Sequence, residues 1–181
     1  MPDQVNGLLS PWLRRRRVNM IKPYLEGKIL DIGCGVGYLS EFVPKNLYYG
    51  MDIDEVSLEI AHKRYPGVRF ESKYPEGEQF ETIVLLAVIE HVDDPTYFLK
   101  QLKSLLVPSG RILLTTPNSL LNSVLFLGSK TWLFSQEARQ EHKHLFDYQS
   151  MEELVSGIEL TIHDYKRFLF GANQLFILKH K

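Results

Sequence analysis

The stretch ILDIGCGVGYLS, residues 29–40, carries three glycines at alternate positions directly after a short apolar run. The apolar run predicts a strand that is buried on both faces, and the glycines predict a turn at its end. Glycine adopts positive φ easily and lets a ligand approach the backbone without a Cβ in the way. Because ligands of open parallel sheets bind beyond the carboxyl ends of the strands, the stretch predicts a nucleotide-like ligand on residues 33–37.

The rest of the chain continues this alternation of short apolar runs and helical patterns. Helical patterns cover residues 54–65, 94–107 and 150–157, and an interrupted helix is expected before residue 26. This order predicts the α/β class, with a Rossmann-like, doubly wound, mostly parallel sheet and an antiparallel last strand. The predicted strands are residues 28–32, 47–53, 68–70, 82–88, 111–117, 158–168 and 173–180.

Local signals indicate how these helices begin and which side they bury. Asp54 and Asp94 stand at the N-cap positions of the first two helices. Val56, Ile60 and Ala61 are expected on one face of the first helix. The third is expected to begin at Ser150 with a capping box.

Length and composition predict one domain over residues 1–181, with a helical segment at 1–26 and a cap or insert at 119–149. The chain has 181 residues, 44% of them hydrophobic and 24% charged, which is ordinary for a globular protein. The formal net charge of -1 disfavours nucleic acid as a partner. One cysteine, no signal-peptide pattern and no apolar run of about 18 residues predict a cytoplasmic protein.

Spacing separates two candidate cofactors. The dinucleotide fingerprint GxGxxG requires a third glycine at a position that Tyr38 occupies, which disfavours a nicotinamide cofactor. Asp52 ends the second predicted strand, where a carboxylate accepts the hydroxyls of a ribose. Asp31, before the glycines, would repel a phosphate but attract an ammonium group. The two acids indicate a cofactor with a ribose at one end and an amino acid at the other.

Four segments in this order resemble class I S-adenosylmethionine-dependent methyltransferases, in the branch typified by quinone biosynthesis. The segments are DIGCGVG (31–37), YGMDID (49–54), VIEHVDDP (88–95) and LVPSGRILLTTPN (106–118). The resemblance covers residues 25–118 well and continues loosely to the end of the chain. It implies methyl transfer from S-adenosylmethionine to a small-molecule acceptor, with oxygen as the expected acceptor atom and S-adenosylhomocysteine as the product.

The resemblance also implies a role for each matching position. Asp31 faces the methionine amino group, the glycine turn lies against methionine and ribose, and Asp52 holds the ribose hydroxyls. Ile53 lies on the adenine, the loop after the third strand borders the adenine edge, and the end of the fourth strand lies near the sulfonium. The expected cofactor-binding residues are Asp31, Gly33, Cys34, Gly35, Asp52, Ile53, Glu71, Ser72, Leu86, Ala87 and His91.

Three histidines are candidates for a catalytic base, which is required only if the acceptor is a neutral hydroxyl. His91 follows Glu90 at the end of the fourth strand, and its alternative role is a hydrogen bond to the next loop. His142 and His144 lie two positions apart, and their alternative is a solvated loop edge. Some relatives carry another acid three residues before Glu90 that contributes to a metal site. Here that position is Ala87, so no metal is expected.

Two segments and one side chain have interpretations that the residues leave open. Arg14–Arg17 fits a solvated helix face, a clamp for the cofactor carboxylate or the substrate, or a patch for anionic lipid or nucleic acid. Residues 119–135, with Trp132 and Phe134, fit a cap over an apolar substrate or a surface that contacts a membrane or a partner. Cys34 is expected to carry an inert thiol rather than a nucleophile.

The resulting prediction is an S-adenosylmethionine-dependent methyltransferase that acts on a small molecule. The apolar segment and the arginine run keep open a lipid-linked or protein substrate and contact with a membrane surface. A third possibility is a non-catalytic scaffold that only binds the cofactor. No residue pattern names the acceptor or an oligomeric state.

Overall fold

The structure is a computed structural model that describes residues 10–118 and 144–181, and therefore excludes His142, Trp132 and Phe134. The helices of the described residues are α1 (Ser10–Ile21), α2 (Glu55–Arg64), α3 (Pro95–Ser104) and α4 (Tyr148–Ser156). The strands are β1 (Ile29–Ile32), β2 (Tyr48–Met51), β3 (Arg69–Glu71), β4 (Phe80–Leu86), β5 (Leu106–Pro117), β6 (Leu160–Phe168) and β7 (Asn173–His180).

The described strands form one sheet in the order β3-β2-β1-β4-β5-β7-β6. Strands β1 to β5 pair in parallel. Strand β7 lies between β5 and β6 and is antiparallel to both. The predicted α/β, Rossmann-like sheet with an antiparallel last strand is therefore confirmed. The strand order reverses between β1 and β4, which is where an open sheet of this kind forms its ligand crevice.

Apolar side chains cover both faces of the sheet, because its central strands are buried along their whole length. On one face, Val18 and Ile21 of α1 pack with Leu58 of α2. On the other face, Leu102 of α3 and Met151 of α4 belong to the second hydrophobic cluster. The sheet is thus rigidly held from both sides, and its carboxyl edge provides a fixed platform for loops.

The buried face of α2 differs from the predicted one. Val56 and Ile60 are 64% and 38% exposed, whereas Leu58 and Ala61 are buried. Of the three residues predicted to share a face, Ala61 is buried as expected, whereas Val56 and Ile60 lie on a solvent-facing stripe of this short helix. The predicted N-cap was confirmed, since the carboxylate of Asp54 accepts from the Val56 amide at 3.2 Å.

Helix α4 begins earlier than predicted. Asp147, rather than Ser150, is its N-cap, and the capping box joins Asp147 to Ser150. Sequence pattern favoured Ser150 because Glu153 follows three residues later, but Asp147 offers the same spacing to Ser150. Helix α3 begins as predicted, with the Asp94 carboxylate accepting from the Tyr97 amide at 2.9 Å.

A buried glutamine fastens the end of β5 to the chain that leads into α4. The side-chain amide of Gln174 donates to the carbonyls of Pro117 and Phe146 at 3.3 and 2.6 Å. Its oxygen accepts from the hydroxyl of Tyr165 at 3.1 Å. Because such a buried amide is costly without partners, these bonds fix how the two ends meet. Within residues 10–118 and 144–181, the structure has no helix long and apolar enough to cross a membrane.

Candidate active site

The turn after β1 is held against the end of β2 by main-chain hydrogen bonds. The amides of Gly33 and Cys34 donate to the Met51 carbonyl at 2.8 and 3.1 Å. The amide of Gly35 donates to the Asp52 carboxylate at 2.7 Å. Gly33 and Gly35 have φ of +70° and +52°, a conformation that glycine adopts at low cost. The glycine spacing therefore builds a tight turn whose position depends on β2.

The three glycines differ in what a side chain would meet. A Cβ at Gly33 would lie 2.6 Å from Cγ2 of Val88, and a Cβ at Gly37 would lie 2.6 Å from Cζ of Phe70. Packing against neighbouring side chains thus explains both positions. A Cβ at Gly35 would meet no atom within 4 Å. Gly35 lies on a cavity wall, so its missing side chain leaves the backbone open to a ligand.

Asp31 is a buried carboxyl group on the same wall. The hydroxyl of Tyr48 donates to its Oδ2 at 2.6 Å. Burial raises the pKa of Asp31 to about 7; the Tyr48 hydrogen bond lowers this pKa, and the charge of Asp52 raises it. A desolvated carboxylate of this kind is stabilised by a nearby cation, which matches the expected ammonium partner.

Asp52 lies at the junction of β2 and the glycine turn. Its two oxygens accept from the amides of Gly35 and Asp54, at 2.7 and 2.9 Å. The next side chain, Ile53, is 87% exposed. A fixed carboxylate beside an exposed apolar side chain suits a ribose and an adjoining flat ring.

The loop after β3 lies beside Asp52, because the Asp52 amide donates to the carbonyl of Glu71 at 3.2 Å. The Glu71 carboxylate accepts from Nε of Arg69 at 2.7 Å, and the side chain of Ser72 is exposed. Asp52, Ile53, Glu71 and Ser72 lie outside the cavity lining. They continue from Gly35 along the carboxyl edge of β2 and β3.

The cavity has a volume of about 640 Å³ and lies at the reversal point between β1 and β4. This volume is in the range of small-molecule sites. The structure brings part of the expected cofactor set together there. The expected residues in the lining are Asp31, Gly33, Cys34, Gly35, Leu86, Ala87 and His91.

The end of β4 forms the floor of the cavity. Ala87 has a left-handed φ of 60°, and its amide donates to the Thr115 carbonyl at 2.9 Å. This conformation costs a non-glycine residue about 1–2 kcal/mol, and such outliers concentrate at functional sites. The turn that follows places Glu90 and His91 in the lining. Glu90 is buried there, although the sequence analysis predicted no role for it.

Of the two expected catalytic histidines that the structure describes, His91 lies in the cavity lining. His144 lies outside it, with its amide donating to the Glu90 carbonyl at 3.2 Å. Nε2 of His144 lies 3.4 Å from the Asp93 carbonyl oxygen. His142 is outside the described residues.

The arginine run is divided between the cavity and solvent. Arg14 and Arg17, three residues apart on α1, line the cavity, whereas Arg15 and Arg16 are exposed. Nε of Arg17 donates to Oδ1 of Asn173 at 3.1 Å. Burial lowers the pKa of Arg17, and the charge of Glu90 acts in the opposite direction. The interpretation of the run as a solvated helix face therefore fits Arg15 and Arg16 but not Arg14 and Arg17.

The turn between β6 and β7 has an unusual backbone. Leu169, Phe170 and Gly171 are consecutively left-handed, with φ of 54°, 55° and 87°. Left-handed backbone costs each of the two bulky residues about 1–2 kcal/mol, and hairpin turns of this hand normally use Asn or Gly. Both Leu169 and Phe170 line the cavity, and Phe170 is fully exposed. The strain therefore holds apolar side chains at the cavity mouth.

Sequence reasoning missed several residues of the lining. The heptapeptide RFLFGAN, residues 167–173, did contain a signal, because Leu and Phe occupy a hairpin turn that is normally polar. The others carry no sequence signal, since only the tertiary fold brings them together. The missed residues are Trp12, Leu13, Val18, Tyr38, Leu39, Glu90, Pro117, Leu169, Phe170, Ala172 and Asn173.

Two expected absences concern chemistry at the site. Burial raises the pKa of the Cys34 thiol far above its usual range, and the charges of Asp31 and Asp52 act in the same direction. A thiol that resists ionisation fits the expected inert side chain. Among the described residues, no group of three or more His, Cys, Asp or Glu side chains is arranged to hold a metal ion.

Comparison with known sequences identifies the protein family. A family model described as a methyltransferase domain matches residues 7–165. The ubiquinone biosynthesis O-methyltransferase of Pseudomonas aeruginosa is 34% identical over 168 residues, which are 84% of this chain and 64% of that protein. The protein of that name from Parvibaculum lavamentivorans is 28% identical over 160 residues, covering 82% of this chain and 55% of that protein. The chain thus spans little more than half to two thirds of the length of these relatives.

Solved structures share the fold. A S-adenosylmethionine-dependent methyltransferase from Clostridium acetobutylicum has a TM-score of 0.70 at 14% identity, covering 93% of this chain and 90% of that one. The magnesium protoporphyrin IX methyltransferase from Synechocystis, solved with bound S-adenosylhomocysteine, has a TM-score of 0.71 at 18% identity and covers 100% and 90%. Since the family model matches residues 7–165, which is most of the chain, the chain belongs to the methyltransferase domain family.

Proposed function

We propose that the chain transfers a methyl group from S-adenosylmethionine to a small molecule, with oxygen as the acceptor atom. The observation that carries the proposal is the open backbone of Gly35 between two acids. No side chain packs where its Cβ would lie, Asp31 is buried on one side, and Asp52 is bonded to the Gly35 amide on the other. The name of the related O-methyltransferases supports oxygen.

The residues present fit this cofactor. Asp31 would hold the ammonium group, since its desolvated carboxyl group gains from a cation. Asp52 would hold the ribose hydroxyls, and Ile53 would cover the adenine, for which its 87% exposed side chain is available. Arg17 supplies a cation inside the cavity for the methionine carboxylate. Gly33, Cys34, Glu71, Ser72, Leu86 and Ala87 remain proposed contacts on the same path.

When bound, S-adenosylmethionine supplies an electrophilic methyl group, so that one C–S bond breaks and one C–O bond forms. The work of the protein is then orientation and exclusion of water. Ala87 and His91 lie at the end of β4 in the cavity floor. His91 is the proposed acceptor of the hydroxyl proton, because it alone of the described candidate histidines lies in the lining. His142 and His144 stay secondary candidates for this role.

The alternatives remain a lipid-linked or protein acceptor and a scaffold that binds the cofactor without turnover. The proposal adds no metal, and the net charge of -1 disfavours nucleic acid as the acceptor because it provides no electrostatic footprint for it. A cytoplasmic location is proposed from the single, half-buried cysteine.

The test is a calorimetric titration of the protein with S-adenosylhomocysteine, with NADH as a parallel control. We expect micromolar binding of the first and none of the second. Asp52→Ala should weaken binding by about 1.5–3 kcal/mol, the scale of hydrogen bonds to a charged group. Asp54→Ala is the matched control, because Asp54 caps α2 and is bonded to the same loop.

Loss of binding in Asp52→Ala alone would support the cofactor site. Loss in Asp54→Ala alone would show that Asp54, rather than Asp52, holds the ribose. Absence of binding by the folded wild-type chain would refute the proposal. Release of S-adenosylhomocysteine from S-adenosylmethionine with any acceptor would then exclude the pure scaffold.

A further inference from the structure

The cavity has a second half that the proposed cofactor contacts leave unused. It is lined by Trp12, Leu13 and Arg14 from α1 and by Leu169 and Phe170 from the turn between β6 and β7. None of these five belongs to the glycine turn or to the end of β4. This half of the cavity is therefore the region available to an acceptor.

The rim of this half is apolar and aromatic. Trp12 is 45% exposed, and Phe170 is fully exposed. The guanidinium of Arg16 lies over the Trp12 ring, 5.3 Å from its centroid. Phe170 has the left-handed backbone described above, and such outliers concentrate at functional sites. The rim therefore presents two aromatic side chains that do not belong to either hydrophobic cluster.

The same half contains a cation that the protein does not neutralise. Arg14 is half-buried in the lining, and within residues 10–118 and 144–181 it has no hydrogen-bond or ion-pair partner. The two acids of the lining have other partners. Asp31 bonds Tyr48 and faces the expected ammonium group, and Glu90 interacts with Arg17. A half-buried guanidinium in a ligand cavity is well placed to bind an anion.

We propose that the acceptor is an amphipathic acid, whose apolar body lies between Trp12 and Phe170 and whose anionic group binds Arg14. The inference rests on the proposed function and specifies its substrate class. A separate hydroxyl of the same molecule reaches the end of β4, where its oxygen forms the new C–O bond and its proton passes to His91 or solvent. The anionic group is bound but not altered. Arg14 and Phe170 are then specificity residues of the reaction.

The experiment compares an acid with its uncharged analogue in binding, so that no acceptor atom has to be known. Phenyldecanoic acid and its primary amide are titrated into the full chain saturated with S-adenosylhomocysteine. The wild type should bind the acid about tenfold more tightly than the amide, or better. Arg14→Gln should reduce this ratio to about one and leave the affinity for S-adenosylhomocysteine unchanged. Phe170→Ala should weaken acid and amide alike.

Arg15→Gln is the matched control, since it makes the same charge change on an exposed side chain of the same helix. It should keep the acid-to-amide ratio of the wild type. The inference is overturned if the wild type does not discriminate, if discrimination survives in Arg14→Gln, or if Arg14→Gln instead weakens S-adenosylhomocysteine. The last result would make Arg14 the cofactor clamp.

Failure of the proposed function would look different. Acid-selective binding that is lost in Arg14→Gln, in a chain that binds no S-adenosylhomocysteine, would refute methyl transfer and leave the anion site standing. Binding of S-adenosylhomocysteine with equal affinity for acid and amide would overturn the anion site alone.

Discussion

Replacing Gly35 by alanine separates the conformational role of a glycine from its role in ligand access. Gly35 has φ of +52°, and an added Cβ would meet no atom within 4 Å. The fold should therefore accept Gly35→Ala at the price of left-handed strain alone, about 1–2 kcal/mol. In a domain of this size that loss lowers the melting temperature by about 2–8 °C. The cofactor, by contrast, would have to share its volume with the new methyl group.

Gly67 provides the matched control. Its φ is +81°, a Cβ there would also meet no atom within 4 Å, and it lies outside the cavity lining. Gly67→Ala should thus lose the same stability without touching the site. Inserting a methyl group into a filled site costs about 1–3 kcal/mol, which corresponds to roughly 5- to 150-fold in Kd. We expect this loss of affinity for S-adenosylhomocysteine in Gly35→Ala only.

Thermal unfolding and calorimetric titration of both variants check the two effects separately. Equal melting temperatures with selective loss of binding in Gly35→Ala would place the cofactor on this backbone. Wild-type affinity in a folded Gly35→Ala protein would refute the reasoning, because no bound ligand could then lie against Gly35. A larger loss of stability in Gly35→Ala than in Gly67→Ala would show that the turn is more constrained than its open surroundings indicate.

Four further outcomes are expected. Affinity for S-adenosylhomocysteine should fall about tenfold per pH unit below pH 7, because Asp31 with its pKa of about 7 must be ionised to bind an ammonium group; calorimetry at pH 5.5–7.5 checks this. Tyr48→Phe should move the onset of this fall to higher pH, because the Tyr48 hydrogen bond lowers the pKa of Asp31 and its removal raises that pKa. An unchanged onset would contradict that role. Gln174→Met should lower the free energy of unfolding by about 1–3 kcal/mol, because the Tyr165 hydroxyl and two carbonyls lose their hydrogen-bond partner. Denaturant unfolding measures this free energy, and an unchanged value would show that Gln174 does not stabilise the junction of β5 and α4. Cys34 should react with iodoacetamide at pH 8 far more slowly than a free thiol, given its raised pKa, and a comparable rate would show an exposed or ionised thiol.

The fold was predictable because its signals are local. Alternating apolar runs gave β7 with its observed bounds, Asn173–His180, and the caps at Asp54 and Asp94 are side chains that bond the next turn of the chain. The errors arose where two local solutions compete. Residues Asp147 and Ser150 both satisfy a capping-box pattern, and only the contacts of α4 with the sheet choose between them.

The site was predictable only on the side that one segment builds. Asp31 and Gly35 lie four residues apart, so their common position at a strand end follows from the strand itself. The other side joins Arg17 to Asn173, which are separated by 156 positions in sequence. No pattern within either segment records that contact, because it depends on β7 entering the sheet between β5 and β6.

The position of β7 also sets an order of events during synthesis. Strand β6 pairs, among the described strands, with β7 alone, which is translated after it, whereas each of β2 to β5 has a neighbour that is translated before it. The chain emerges at about 5–20 residues per second, so β6 waits for residues 173–180 before it finds an edge to join. In this interval the nascent chain exposes the apolar margin of β5. The time taken to translate β7 therefore sets how long a chaperone, or another copy of the nascent chain, can bind that margin of β5.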